Sequence, residues 1–392
     1  LSIQQVAGYS HERLELERSL TDRGVITPVP QRANWQRANG YADTVLLVVR
    51  DQSNAPVGVV GAGITMSRAL PGHRIYRVER LGSSGSERAD REVLGALSTL
   101  ARRDPVCLRV VVEVFERDAQ ARRRLCRRLV KLGFTRSPSP RNYQNTLALD
   151  LHRSTDEIFA GLHRTARRHI RAPGKRGLEL HPIADPAFAP RLEALIRETY
   201  DRTHTPPDAK PWHRVIELSA VNQSVSRIIG LFDGQGRSPE NLVAFAWGCA
   251  HGSHVTYEAG ASCRRRELGS TSLGYAPLWD LITWAREHTS ATWFDLGGVK
   301  GGVEPPGDEL DGIYEFKRYF SRESVDVGDE WVMEPLRTRA AIARVISAAA
   351  TWVLRLRPPK IKWVAMAAAE GVDMNGVATT ALSVQEAART IV

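Results

Sequence analysis

The chain is 392 residues long, 42% hydrophobic and 25% charged, enough apolar material for two cored domains and too much for a disordered polyelectrolyte. Its net charge of +10 is regional: residues 101–180 hold 19 Lys+Arg against 8 Asp+Glu, leaving the other 312 residues close to neutral. A local basic surface of this kind suits a polyanion, whether nucleic acid, nucleotide or anionic lipid.

The opening LSIQQVAGYSHERLELERSL has no apolar core of the signal-peptide kind, and no run reaches the roughly 18 apolar residues of a membrane span. Residues 41–150 read as strand YADTVLLVVRD, strand VGVVGAGITM, strand RIYRVERL, helix ADREVLGALSTLARR, strand VCLRVVVEVF, helix DAQARRRLCRRLVKLGF and strand QNTLALDL. From 151 a second unit follows: a helix over 155–171 opened by a Ser154/Glu157 capping box, strand GLELHPI, helices 186–203 and 211–221, three strands over 226–262, helix LGYAPLWDLITWAREH, strand TWFDLGG and a strand DGIYEFKRYF. The pattern predicts an α/β protein with mixed sheets, divided into units 1–150 and 151–358 and an alanine-rich tail, 359–392. VISAAATWVL at 345–354 is read as a core helix in preference to a membrane-surface one.

Four cysteines, Cys107, Cys126, Cys249 and Cys263, stand far apart with no CxxC and no nearby histidine pair, so neither zinc nor a disulfide framework is expected and a reducing, cytoplasmic setting fits. There is no G-x-S-x-G and no Walker loop. His251 and His254 are expected at the surface of a turn. In HRTARRHIRAPGKRG, Arg164, Arg167, Arg168, Arg171, Lys175 and Arg176 fall largely away from the apolar face of Phe159, Leu162, Ala166 and Ile170; they form either a solvated face or a row of forks for phosphates. Leu125 and Leu129 of the second basic helix, 122–131, point to a core. Lys317, among Tyr314, Phe316, Tyr319 and Phe320, either decorates the wet side of an edge strand or faces a cleft and stabilises charge there.

RRRELGSTSLGYAPLW, between a strand and a helix, half matches the pyrophosphate loop of GNAT acetyltransferases. Arg266 and Gly269 fit, while Thr271 brings a β-branched side chain where coenzyme A needs bare backbone N–H groups. More broadly, HRTARRHIRAPGKRGLEL, ETYDRTHTPPDAKPW, VTYEAGAS, TWFDLGG and DGIYEFKRYF followed by VGDEWVMEPL resemble, in order, the Fem-type (FemABX) peptidyltransferases.

That resemblance implies two tandem GNAT-like acyltransferase domains and transfer of an amino acid from aminoacyl-tRNA to the stem-peptide amine of a peptidoglycan precursor, without metal or nucleotide cofactor. It implies that Lys317 lies near the tRNA acceptor end and stabilises the tetrahedral intermediate, with Phe316 shaping the site. Thr199 and Arg202 would hold an acceptor phosphate, and Tyr257 would line the cleft. The family's Trp-x-x-x-Lys diphosphate grip is represented by Trp35 with Asn39 in place of the lysine, which leaves Arg37 as the substitute. A coenzyme A-dependent N-acyltransferase and a silent tRNA- or membrane-surface-binding module are the alternatives.

Overall fold

The computed structural model describes residues 1–140, 142–201, 210–234, 236–264, 272–298 and 311–355, with Asp311 and 350–355 as backbone only. The first elements in chain order are β1 (Ser2–Ala7), α1 (His11–Asp22), α2 (Ala33–Ala38), β2 (Asp43–Arg50), β3 (Pro56–Met66), β4 (Arg74–Leu81), α3 (Glu87–Arg103), β5 (Cys107–Val114), α4 (Ala119–Lys131), β6 (Thr135–Arg136) and β7 (Asn145–Asp150). There follow α5 (Thr155–Gly161), α6 (Arg164–Arg171), β8 (Glu179–Pro182), α7 (Ala189–Asp201), α8 (Trp212–Val221), β9 (Ser226–Phe232), β10 (Leu242–Ala250) and β11 (His254–Ser262). The last are α9 (Tyr275–His288), β12 (Trp293–Gly298), α10 (Asp311–Arg318), β13 (Glu323–Asp326), β14 (Glu330–Met333) and α11 (Arg337–Arg355).

Two seven-stranded mixed sheets result, β1-β2-β3-β4-β5-β14-β6 and β13-β7-β12-β11-β10-β9-β8. In each, a parallel pair is bridged by one helix: β4 and β5 by α3, β11 and β12 by α9. The strand runs are apolar on both faces because helices cover them; β2 buries Thr44 through Val49 without a break. In α3, Ser86 caps the N-terminus, and Ala89, Val93, Leu94, Leu97 and Ala101 recur at helical spacing to face the sheet. Leu125 and Leu129 of α4 are buried in the same core, as their spacing predicts.

The sheets do not divide at residue 150. β7, read as the last strand of the first unit, lies between β13 and β12 in the second sheet. β14 returns from the end of the second unit to pair with β5 in the first. Each parallel pair thus receives its outer neighbour from beyond the expected boundary, an exchange that apolar alternation cannot encode because both strands are equally apolar.

Other expectations also change. The Ser154/Glu157 capping box forms, but the helix over 155–171 is two helices: Leu162 is extended (φ −65°, ψ 152°), and His163 restarts the chain as α6 by accepting from Thr165 N–H at 3.3 Å. The helix expected at 186–203 begins as a 3₁₀ turn, Pro186–Phe188, before α7. DGIYEFKRYF is helical through α10 rather than a strand; Ile313, Phe316, Lys317 and Phe320 share one helical face at the i, i+3, i+4, i+7 spacing, which the strand reading overlooked. α11 is not a core helix: in its described side chains only Ala340 and Ala343 are buried. The tail, 359–392, lies outside the described residues.

Candidate active site

β11 and β12 pair in parallel only at His254↔Trp293, Val255↔Phe294 and Thr256↔Asp295. Beyond that point the ladder stops, leaving an unpaired wedge of backbone between Tyr257 and the Gly297-Gly298 end of β12. Lys317 closes its mouth, with Nζ donating to Gly298 O at 3.2 Å, its one hydrogen-bond partner among the described residues. Gly297 has φ +88°, and a Cβ there would stand 3.0 Å from Lys317 Nζ and 3.7 Å from Tyr257 O, so only glycine serves. Burial pushes the Lys317 ammonium below its ordinary value, and the charge of Asp295 offsets part of that effect.

Asp295, fully buried, organises the wedge. It accepts from Tyr143 O–H at 2.7 Å, from Thr256 O–H at 3.0 Å and from Gly297 N–H at 2.8 Å, the last bond fixing the glycine turn beneath Lys317. Arg80 of the first domain completes the cluster, donating to Thr256 Oγ1 and Tyr143 Oη at 3.1 Å each and lying 3.5 Å from Asp295 and 3.7 Å from Glu258. Its guanidinium stacks 4.5 Å from the centre of Phe115, and its backbone is held at φ +53°, a conformation costing an arginine about 1–2 kcal/mol. Burial alone would raise the Glu258 carboxyl, but neighbouring His251 and the Arg80 charge bring it down to about 2.

In the first domain β4 and β5 pair as far as Leu81↔Val114, with a register shift between Val78 and Leu81 where Arg80 takes its positive φ. In the loop after β4, Ser84 N–H donates to Asp90 at 2.8 Å and Ser83 N–H to Glu116 at 2.9 Å, so the chain's own carboxylates occupy these loop amides ahead of α3.

Neither a protein-family model nor a curated protein sequence matches the chain. Among solved structures it is similar to FemX, at 15% identity and a TM-score of 0.68, over 87% of this chain and 100% of that one. The chain has the FemX fold. Weaker likenesses join it to a DUF2156 domain ascribed to a lysylphosphatidylglycerol synthetase of Agrobacterium fabrum (14% identity, TM-score 0.48, 86% of this chain and 96% of that one). Another joins it to L-PGS from Bacillus licheniformis (12%, 0.47, 86% and 98%). The tandem GNAT-like architecture expected from the Fem-type resemblance is therefore present.

On this FemX-like frame the expected site residues fall into three places. Lys317 and Tyr257 meet at the wedge, where the Tyr257 ring lies against β11 so closely that a Cβ at Gly260 would be 2.0 Å from its hydroxyl. Burial, then neighbouring Tyr200, push that phenol up. Phe316 turns inward, edge-on to Tyr275 at 4.7 Å. Thr199 is half-buried in the last turn of α7, beside Tyr200.

Trp35, on α2 of the first domain, packs on Trp247 of the second at 5.8 Å, with Lys210 Nζ 5.5 Å from the same Trp247 ring. Asn39 ends α2 by donating to Trp35 O at 2.8 Å, and Arg37 lies over Tyr9 at 5.8 Å. Arg202, Arg266, Gly269 and Thr271 lie outside the described residues.

The basic helix α6 docks through His169, which stacks on Tyr275 at 5.1 Å and accepts from Ser272 N–H at 3.2 Å. Its arginines lie largely on the side of the helix away from that contact. Arg164, Arg168, Arg171, Lys175 and Arg176 are exposed; Arg167 is half-buried and donates to Ala160 O at 3.0 Å, tying α6 to α5. His251 and His254 are buried rather than on the surface. His251 accepts from Val29 N–H at 3.4 Å, and His254 lies between Phe115 and Trp293 at 4.9 and 4.8 Å. Sequence reasoning also passed over Arg80, Tyr143 and Asp295. Of these only Asp295 left a trace, as a lone carboxylate in the apolar strand TWFDLGG.

Proposed function

We propose that the protein is an acyltransferase that moves an aminoacyl group from charged tRNA to an amine, with the stem peptide of a peptidoglycan precursor as acceptor. The supporting observation is the placement of Lys317: a partly desolvated ammonium, held by one carbonyl, where the ladder between two parallel strands stops. The amine attacks the ester carbonyl, a C–N bond forms, the ester C–O bond breaks, and the proton lost by the amine goes to the departing ribose hydroxyl. The ester supplies the driving force. Lys317 stabilises the oxyanion, and Asp295 with Gly297 fixes the turn against which it rests. The exposed arginines of α6 hold tRNA phosphates. The acceptor lies toward Trp35, Arg37, Thr199, Arg202 and Tyr257, at the inner face of the membrane.

A coenzyme A-dependent N-acyltransferase is disfavoured in the first domain by the carboxylates already bonded to the Ser83 and Ser84 amides of the loop before α3. The test is mass-spectrometric detection of transfer to lipid-linked precursor from a panel of charged tRNAs, with acetyl-coenzyme A in parallel. Product from charged tRNA alone supports the proposal. Product from acetyl-coenzyme A alone replaces it with the second reading, and no product from either, with tRNA still bound, leaves a binding module.

A further inference from the structure

α11 sits on the first domain the wrong way round for a water-exposed helix. Its contact with the body is made by Ala340 and Ala343, 0% and 5% exposed, against Leu108, Ala69 and Leu70. Its bulky apolar side chains face outward: Ile342 is 49% exposed, Val345 70% and Ile346 42%. A helix that buried its best apolar residues would place isoleucine and valine inward and alanine outward.

At 100° per residue, Val345, Ile342 and Ile346 span one continuous outer stripe. Arg337 and Arg344 border one side of it and Arg339 the other, all exposed. Arg339 reaches His73 at 3.1 Å and Arg344 pairs with Glu334, which hold the guanidiniums beside the stripe. Met66, at the end of β3 and 47% exposed, adds a further apolar side chain to the first domain's surface.

The surrounding charge selects the partner. From Pro335 to Ala369 the sequence contains seven Lys/Arg and no Asp/Glu. An apolar stripe bordered by arginines on an acid-free stretch matches a surface that is greasy below and negatively charged above. A second copy of the same helix would set its arginines against each other.

We propose that the outer face of α11 is a membrane-surface element that seats Ile342, Val345 and Ile346 among the acyl chains of an anionic bilayer while Arg337, Arg339 and Arg344 engage lipid phosphates. The helix lies in the interface without spanning it; no described helix is long and apolar enough to cross a membrane. This inference is independent of the reaction proposed above.

The test uses the full chain and flotation with vesicles of phosphatidylglycerol or of phosphatidylcholine alone. The chain is expected to float with phosphatidylglycerol, weakly or not at all with phosphatidylcholine, and to be released by salt. The variant Ile342→Ser/Val345→Ser/Ile346→Ser is expected to lose at least tenfold in vesicle affinity with an unchanged circular dichroism spectrum and melting temperature, because no buried contact is removed. Equal binding by wild type and variant overturns the proposal. So does failure of wild type to bind together with dimerisation that the variant abolishes, which assigns the stripe to a second copy. Wild type that binds only after removal of residues 356–392 overturns it too, since the stripe is then covered by the chain's own end.

Discussion

Lys317 is held under opposed electrostatic demands: burial favours the neutral amine, while Asp295 favours the ammonium. If the ammonium is the form that stabilises the oxyanion, Lys317→Ala is expected to lower kcat by about 10²–10³ with folding intact, and Lys317→Arg to recover little because a planar fork does not fit a compact ammonium's place. The rate should also fall with rising pH below the ordinary lysine range, as the depressed group loses its proton. Asp295→Asn withdraws the offsetting charge, so in variant protein that still melts cooperatively this alkaline limb should move to lower pH; an unmoved limb would separate Lys317 from the rate. Lys317 was legible in the sequence as an isolated charge among rings. Asp295 and Arg80 were much less so, because their roles depend on a contact between positions 80 and 295 that no local pattern carries.

At the scale of elements, the row of arginines was readable and the break in its helix was not. Leu162 fits the apolar spacing of one continuous helix, yet it is buried as a link in which extended backbone lets α6 dock its histidine on α9. Replacing Arg164, Arg168 and Arg171 by Gln should weaken tRNA binding and flatten its salt dependence by about one unit of slope per lost phosphate contact, measured by titration over a range of salt. Arg167→Gln should chiefly cost stability, since that side chain is committed to Ala160 O.

The stack of Phe115, His254 and Trp293 makes a different prediction. Burial, followed by His251 and Arg80, holds His254 well below its ordinary 6.5, so the unfolded chain takes up a proton there that the folded chain refuses. Stability should therefore fall as pH drops below 6.5. His254→Phe should remove part of that slope in chemical melts at pH 5 and pH 7; an unchanged slope would place the acid sensitivity elsewhere. Spacing suggested a surface turn for both histidines, because nothing local announces that another domain will cover them.

For the whole molecule, most strands and helices were legible, since long apolar runs and amphipathic spacing specify them. The partition between sheets was not, because β7 and β14 are as apolar as the strands they might have joined. Their exchange ties the two domains by backbone ladders, Asn145–Asp150 into the second sheet and Glu330–Met333 into the first. One cooperative melting transition is expected for the full chain, and a fragment 1–150 should fail to fold, being without β14 and carrying an unmatched β7. Two resolved transitions, or a fragment with native-like near-ultraviolet dichroism, would contradict this.

The same exchange sets a timetable on the ribosome. The partner strand for β5 does not emerge until about 220 residues after it, so at roughly 5–20 residues per second the apolar edge of the first sheet waits on the order of 10–45 s for its cover. An N-terminal half that cannot finish before the C-terminal half is made is a client for chaperones throughout its synthesis, and any stalled or truncated product exposes that edge. Yield in the cell is therefore expected to depend on uninterrupted translation of residues 115–333 as much as on the stability of the finished protein.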